Sequence, residues 1–136
     1  MRFEKPEDLS REEVAIKMLC DKFGLEYEKL GANDIDFRVT KDGRICHVEV
    51  KGRNRNIAEA YPLPLSARKM VKLYDKKTEG ILVWACFDGI IYGNIKEIES
   101  IGKKGGRKPR VGAVNDIEYM LYFNRQLELK EMFTND

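Results

Sequence analysis

The stretch Asn33-Asp34-Ile35-Asp36-Phe37-Arg38-Val39-Thr40-Lys41-Asp42-Gly43-Arg44-Ile45-Cys46-His47-Val48-Glu49-Val50-Lys51 decides the fold. Asp42-Gly43 is a turn signal, and apolar residues alternate on both sides of it. The segment therefore predicts a hairpin with strands over Asp34–Thr40 and Arg44–Lys51. Side chains two apart on a strand share a face. Ile35, Phe37, Val39, Val48 and Val50 are expected to face a core. Asp34 and Asp36 face the other way, as do Glu49 and Lys51. Closing the hairpin brings three carboxylates and one ammonium together, the set that a hard oxygen-binding cation and a phosphodiester need. Exposed ribbons also carry alternating charge, and the competing reading is a solvated face in which the acids pair with Lys51 and Arg38. Against it, Lys51 runs directly into Gly52-Arg53-Asn54-Arg55, a sharp exit followed by cations.

Upstream, Ser10 and Glu13 form a capping box and Gly24 supplies a stop, which predicts a helix over Arg11–Phe23. Its apolar stripe is Ile16, Leu19, Cys20 and Phe23. Glu12 lies one turn before Ile16 on that inward stripe. It either joins the acids of the hairpin or is a first-turn glutamate favoured by the helix dipole. Downstream, Tyr61–Leu65 holds two prolines and is extended. Ser66 caps a second helix from Ala67 to about Lys77, with Ala67, Met70, Val71 and Tyr74 as its stripe. Ile81–Phe87 is nearly all apolar, as in a central strand buried on both faces and parallel to its neighbour. Asp88-Gly89 turns the chain into a strand over Ile90–Ile95, and a short helical stretch follows at Lys96–Ser100. After a basic glycine-rich loop at about 102–110 come a strand over Glu118–Phe123 and a helix from Asn124 to Phe133. The fold class is α/β, a mixed sheet of about four to five strands flanked by helices.

Bulk properties agree with this class. The 136 residues are 43% apolar and 35% charged, enough for one domain spanning 1–136 with a real core. Cys20, Cys46 and Cys86 form no CxxC pair and are read as reduced thiols in a cytoplasmic setting. No apolar run is long enough to span a membrane. The net charge of +2 requires any nucleic-acid contact to come from local patches. One histidine and three scattered cysteines do not make an HNH or zinc-finger site. There is no GxxxxGK[ST] motif for a nucleotide-driven motor. Gly89-Ile90-Ile91-Tyr92-Gly93 has only half of a GIY-YIG pattern and is read as a turn and strand.

The hairpin resembles the PD-(D/E)xK nuclease superfamily, which has restriction-endonuclease-like architecture. Asn33-Asp34 stands where that family has Pro-Asp, and Glu49-Val50-Lys51 stands for (D/E)xK. The likeness covers about the first two-thirds of the chain and departs from the pattern in lacking the proline. It implies a metal-dependent endonuclease acting on DNA, resolvase-like and directed by DNA structure. Asp34 and Glu49 would hold Mg²⁺, or Mn²⁺ in its place, with help from the Val50 carbonyl. Lys51 would position or deprotonate the attacking water. Glu12 matches an acidic residue that the family often contributes from this helix. Asp36, one pleat along, is a supporting residue or an alternative ligand. Lys69 matches a helix position that often faces the site in resolvase-like members. A resolvase also needs a homodimer, with two sites on two strands.

Basic residues fall into three groups suited to phosphate contact: Arg53 and Arg55, then Arg68 and Lys69 with Lys72, then Lys103, Lys104, Arg107 and Lys108 with Arg110. His47 shares the face of Glu49, although a lone strand histidine is more often structural. Two other functions remain open from sequence. One is an inactive nucleic-acid-binding module of the same fold. The other is a protein-interaction domain, whose charged hairpin is only surface.

Overall fold

The computed structural model describes residues 11–31, 35–106 and 117–134. The first helix, α1 (Arg11–Phe23), has the expected bounds. Gly24 stops it at φ +65°, a left-handed conformation that glycine adopts without strain. Lys41 Nζ donates to the Phe23 carbonyl at 2.9 Å, satisfying one of the last turn's free acceptors.

The hairpin forms as β2 (Phe37–Lys41) and β3 (Arg44–Gly52), with Phe37 opposite Val48 and Lys41 opposite Arg44. Beside β2 runs a strand the sequence did not announce, β1 (Glu26–Lys29), antiparallel to it. All four of its side chains are exposed, so it has no alternation to read. Arg38 pairs with Glu28 across this edge rather than with the acids of the hairpin.

The first strand of the hairpin begins later than expected, because the chain bends at Asp36. Phe37, Val39, Val48 and Val50 lie in one core cluster, while Ile35 packs in the other. The expectation that all five share a face is therefore corrected at Ile35. Alternation holds only where the backbone is a regular strand.

β4 (Leu63–Ser66) leads into α2 (Ala67–Asp75) and then β5 (Glu79–Ala85), which lies parallel to β3. β5 is central and apolar on both faces, as its composition requires. β6 (Gly89–Asn94) returns antiparallel to it. Two further strands, β7 (Ile101–Gly106) and β8 (Ile117–Phe123), pair with each other, and β8 also pairs with β4. β9 (Lys130–Phe133) closes the edge beside β6. The result is α/β: a six-stranded mixed sheet in the order β1-β2-β3-β5-β6-β9 and a three-stranded sheet in the order β4-β8-β7.

Three expectations fail in the C-terminal third. The segment after Asn124 makes no helix to Phe133; a turn leads into β9. It crosses so close to Gly89 that a Cβ there would collide with the Met132 carbonyl. The stretch Lys96–Ser100 makes no helix: a turn over 95–97, in which Lys96 N donates to Asn94 Oδ1 at 2.9 Å, runs into irregular chain. The first half of the basic segment is a strand rather than a loop. Its backbone is satisfied by β8, and the Tyr119 ring lies over Gly102, where a Cβ would collide with it.

α1 covers one face of the larger sheet, with Ala15, Ile16, Leu19 and Cys20 against Val48, Val50, Val83 and Ala85. The other face places Leu82, Trp84 and Ile91 against Leu63, Leu65, Leu73 and Phe123. Each fully buried aliphatic or aromatic side chain contributes about 1.5–3 kcal/mol. The indole N–H of Trp84 donates to the Pro64 carbonyl at 2.9 Å, tying the second sheet to the first. α2 is rotated from the expected stripe. Leu73 is buried and Met70 packs near it, whereas Val71 and Tyr74 are 58% and 49% exposed. No helix among the described residues is long and apolar enough to cross a membrane.

Candidate active site

The site lies at the start of β2, where β3 runs on past it. Glu49 is only 3% exposed, although it is a carboxylate. One of its oxygens, Oε1, is 3.2 Å from Lys69 Nζ in the first turn of α2. The other, Oε2, is buried with no hydrogen-bond partner. Leaving a buried polar atom unpaired costs about 1–3 kcal/mol, so such an atom calls for an explanation.

Asp36 stands beside it. The Asp42-Gly43 turn pairs Phe37 with Val48, and Asp36 precedes Phe37 as Glu49 follows Val48. The Asp36 side chain accepts a hydrogen bond from Val50 N–H at 2.9 Å, replacing the partner that β2 would have supplied. A strand residue directs its N–H and C=O to the same edge, so the Val50 carbonyl opens on this side as well. Two ionised carboxylates cannot bond to each other, but an acid and a carboxylate can share a proton. Burial, then the hydrogen bond and charge of Asp36, push Glu49 up to about 7 against the pull of Lys69.

Glu12, in the first turn of α1, also feels this site. Its carboxyl is raised by partial burial and by Asp36, against the pull of Lys29, Lys69 and Lys51. Its neighbour Glu13 instead pairs with Lys29 at 3.6 Å. Lys51 is exposed and lies level with Trp84 of β5, two residues beyond Glu49 on the same face of β3. The arrangement is thus a buried carboxyl beside a half-buried one, with the Lys69 ammonium against the first. Glu49's burial is at odds with a solvated charged ribbon.

The remaining expected site residues are dispersed. Asp34, Arg107 and Lys108 lie outside the described residues. Lys103 and Lys104 occupy β7. Arg53 donates from Nε to the Ala60 carbonyl at 3.0 Å, and its own N–H goes to Ala85. That guanidinium is engaged in holding the chain after β3. Arg55 and Arg68 are exposed. His47 is buried, and its Nδ1 is 2.6 Å from Thr78 Oγ1, a tie that fixes β3 to the end of the α2 segment. Among the described residues no three His, Cys, Asp or Glu side chains gather as a ligand set. Asp36 and Glu49 make a pair. An apolar groove lined by Leu19, Phe23, Ile45 and Tyr92 opens at the other end of β3, away from this chemistry.

Sequence reasoning read Asp36 as a supporting residue or an alternative ligand, and the structure sets it beside Glu49. The signal was present, since a two-residue turn fixes which residues face each other, and counting back from Asp42-Gly43 reaches Asp36 and Glu49 together.

A family model described as "Phage putative PDDEXK endonuclease" matches residues 1–130. No curated protein matches. Among solved structures, the Holliday junction resolvase Hjc from the archaeal hyperthermophile Archaeoglobus fulgidus superposes with a TM-score of 0.51. The two share 14% identity, over 82% of this chain and 85% of that one. At that identity the likeness is one of fold.

Proposed function

We propose that this chain, which belongs to the phage PDDEXK endonuclease family, hydrolyses DNA phosphodiester bonds with a divalent cation held by Asp36 and Glu49. Mg²⁺ is the expected ion and Mn²⁺ its substitute. The observation that carries the reading is the buried, unpartnered Oε2 of Glu49 beside a second carboxyl. A buried atom with acceptor capacity only, next to another acid, suits an oxygen-seeking cation better than it suits a folded core. Val50's carbonyl, Asp34 and Glu12 are candidates to complete the set. Such a cation supplies positive charge to a phosphate oxygen and makes a bound water more acidic.

The protein's own groups account for the rest. Lys51 places an ammonium at the open side of the acid pair, where it orients the attacking water and offsets charge developing on the phosphate. Lys69 neutralises Glu49 and keeps its Oε1 fixed. The Val50 amide keeps Asp36 turned toward Glu49. Arg55, Arg68, Lys103, Lys104, Arg107 and Lys108 are proposed to hold the DNA backbone without reading its sequence. The resolvase-like fold supports branched DNA as substrate, and a homodimer, with two sites for two strands, belongs to the same reading. An intracellular setting belongs to the same reading.

The test is cleavage of a labelled four-way junction, flap, duplex and single strand with Mg²⁺, Mn²⁺ or EDTA. Wild type is expected to cut a member of the panel with either ion and none with EDTA. Glu49→Ala and Lys51→Ala are expected to abolish cutting. Cutting that persists in EDTA, or in Glu49→Ala, overturns the site. Salt-sensitive binding without any cutting favours the inactive binding module instead.

A further inference from the structure

The end of the sheet that carries Lys51 also carries an exposed aromatic ring that the proposed chemistry does not use. Phe87 sits in the turn between β5 and β6 and is 60% exposed. Its ring belongs to neither core cluster. Its surroundings are polar and built. The Arg11 guanidinium lies over the ring, 5.0 Å from its centroid. The Asn54 side chain accepts a hydrogen bond from Arg11 Nη1 and so holds the guanidinium in place. Phe87 N–H donates to the Arg55 carbonyl at 3.0 Å, and Arg53 N–H donates to the Ala85 carbonyl at 2.8 Å. The ring is therefore fixed to the chain that leaves β3 directly after Lys51.

Two links tie this ring to the acid pair. Phe87 is three residues past Trp84, which is level with Lys51 across the parallel strands. Arg11 and Glu12 are adjacent in the first turn of α1. One reaches Phe87, and the other is within electrostatic range of Asp36 and Lys51.

We infer that Phe87, backed by Arg11, is a stacking platform for an unpaired nucleobase next to the scissile phosphate. Every base has a π-face, so an aromatic platform beside cations binds single-stranded DNA without reading its sequence. A fully paired duplex keeps its bases stacked inside and offers none to the ring. The platform thus gives the site a preference for DNA with an unpaired base at the cut. That preference rests on the nuclease reading above and narrows its substrate class. Arg11 contributes twice, polarising the ring from one side and offering a cation to the adjacent phosphate.

The test uses the full chain in a Lys51→Ala background, so that the DNA stays intact with Mg²⁺ present. Affinities are measured by fluorescence anisotropy for a single-stranded oligonucleotide and for the duplex of the same sequence. Adding Phe87→Ala is expected to weaken single-strand binding about tenfold while changing duplex binding less than about twofold. Retained duplex binding shows that the variant is folded. Phe87→Trp is expected to keep the preference. A 2-aminopurine base next to the cut site is expected to be quenched by the Phe87-containing chain and not by Phe87→Ala. Equal losses on both DNAs, or no loss on either, overturn the platform. Cleavage by the Lys51-containing chain is followed in parallel. Cutting with no Phe87 effect removes the platform and leaves the nuclease reading. A Phe87 effect with no cutting supports the platform and removes the nuclease reading.

Discussion

On the α1 face of β3, Val48 and Val50 are buried in one apolar cluster with Ala15, Ile16 and Leu19. On the opposite face His47 and Glu49 are buried as well, the two polar side chains so placed among the described residues. His47 has Thr78. Glu49 has Lys69 on one oxygen, and its other, Oε2, is left with the Asp36 carboxyl as its polar neighbour. A single strand thus presents a face that holds the fold together and a face that gives up stability at one atom. A polar network that is only half satisfied is worse for stability than an apolar core. Its presence points to something that binds there, and the contrast between the faces can be tested by substitutions on each.

The largest expected effect is on cleavage. Glu49→Gln should lower the rate by about a hundredfold or more, because it removes the negative charge that would hold the cation. The same change should leave the protein as stable as before, or more stable by about 1 kcal/mol at neutral pH. Lys69 is not stranded by it, since its side chain is 44% exposed. Cleavage assays and thermal melts on one preparation would show both signs.

Val48→Ala, next door on the other face, should do the reverse. It deletes buried methyl groups and leaves a gap against α1, which costs about 2 kcal/mol. Denaturant unfolding would measure that loss, while cleavage per folded molecule stays within about twofold. A stability loss for Glu49→Gln as large as that for Val48→Ala would erase the distinction between the faces.

Glu49 also fixes a pH dependence. Its pKa rises from about 4.5 in the unfolded chain to about 7 in the fold. Between those values the folded state holds the extra proton, so stability falls as pH rises through that window. Without divalent cation the expected decline is about 3 kcal/mol, and it should be absent in Glu49→Gln. Mg²⁺ should flatten the slope, because it stabilises the ionised form. The smallest effect belongs to the satisfied member of the pair. Thr78→Val removes the hydroxyl that meets His47 and should cost about 1 kcal/mol in a melt, with cleavage unchanged within about twofold.

Much of this contrast was legible in the sequence. The bounds of α1, the hairpin turn, the centrality of β5 and its parallel pairing with β3 all followed from periodicity and turn chemistry. The placement of Glu49 and Lys51 on the face opposite Val48 and Val50 followed from alternation alone. What escaped has physical reasons. β1 is exposed on both faces, so Glu26–Lys29 leaves no pattern. In the segment after Asn124 the apolar spacing fits either period, and pairing with β6 decides for a strand. The buried phase of α2 centres on Leu73, set by packing against β4 and β8, which local sequence does not contain. The bend at Asp36 breaks the alternation that placed Ile35 with Phe37, and only the register of the turn identifies Asp36 as the partner of Glu49.

The central claim is that the unpartnered oxygen of Glu49 awaits a divalent cation. Calorimetric titration of Mn²⁺ into the wild type and into Glu49→Gln at pH 6.5, in buffers of differing ionisation heat, tests it most directly. The account predicts binding by the wild type with release of about one proton, since Glu49 is largely protonated below about 7, and no such binding by Glu49→Gln. Equal binding by both chains, or binding that releases no proton, would contradict it.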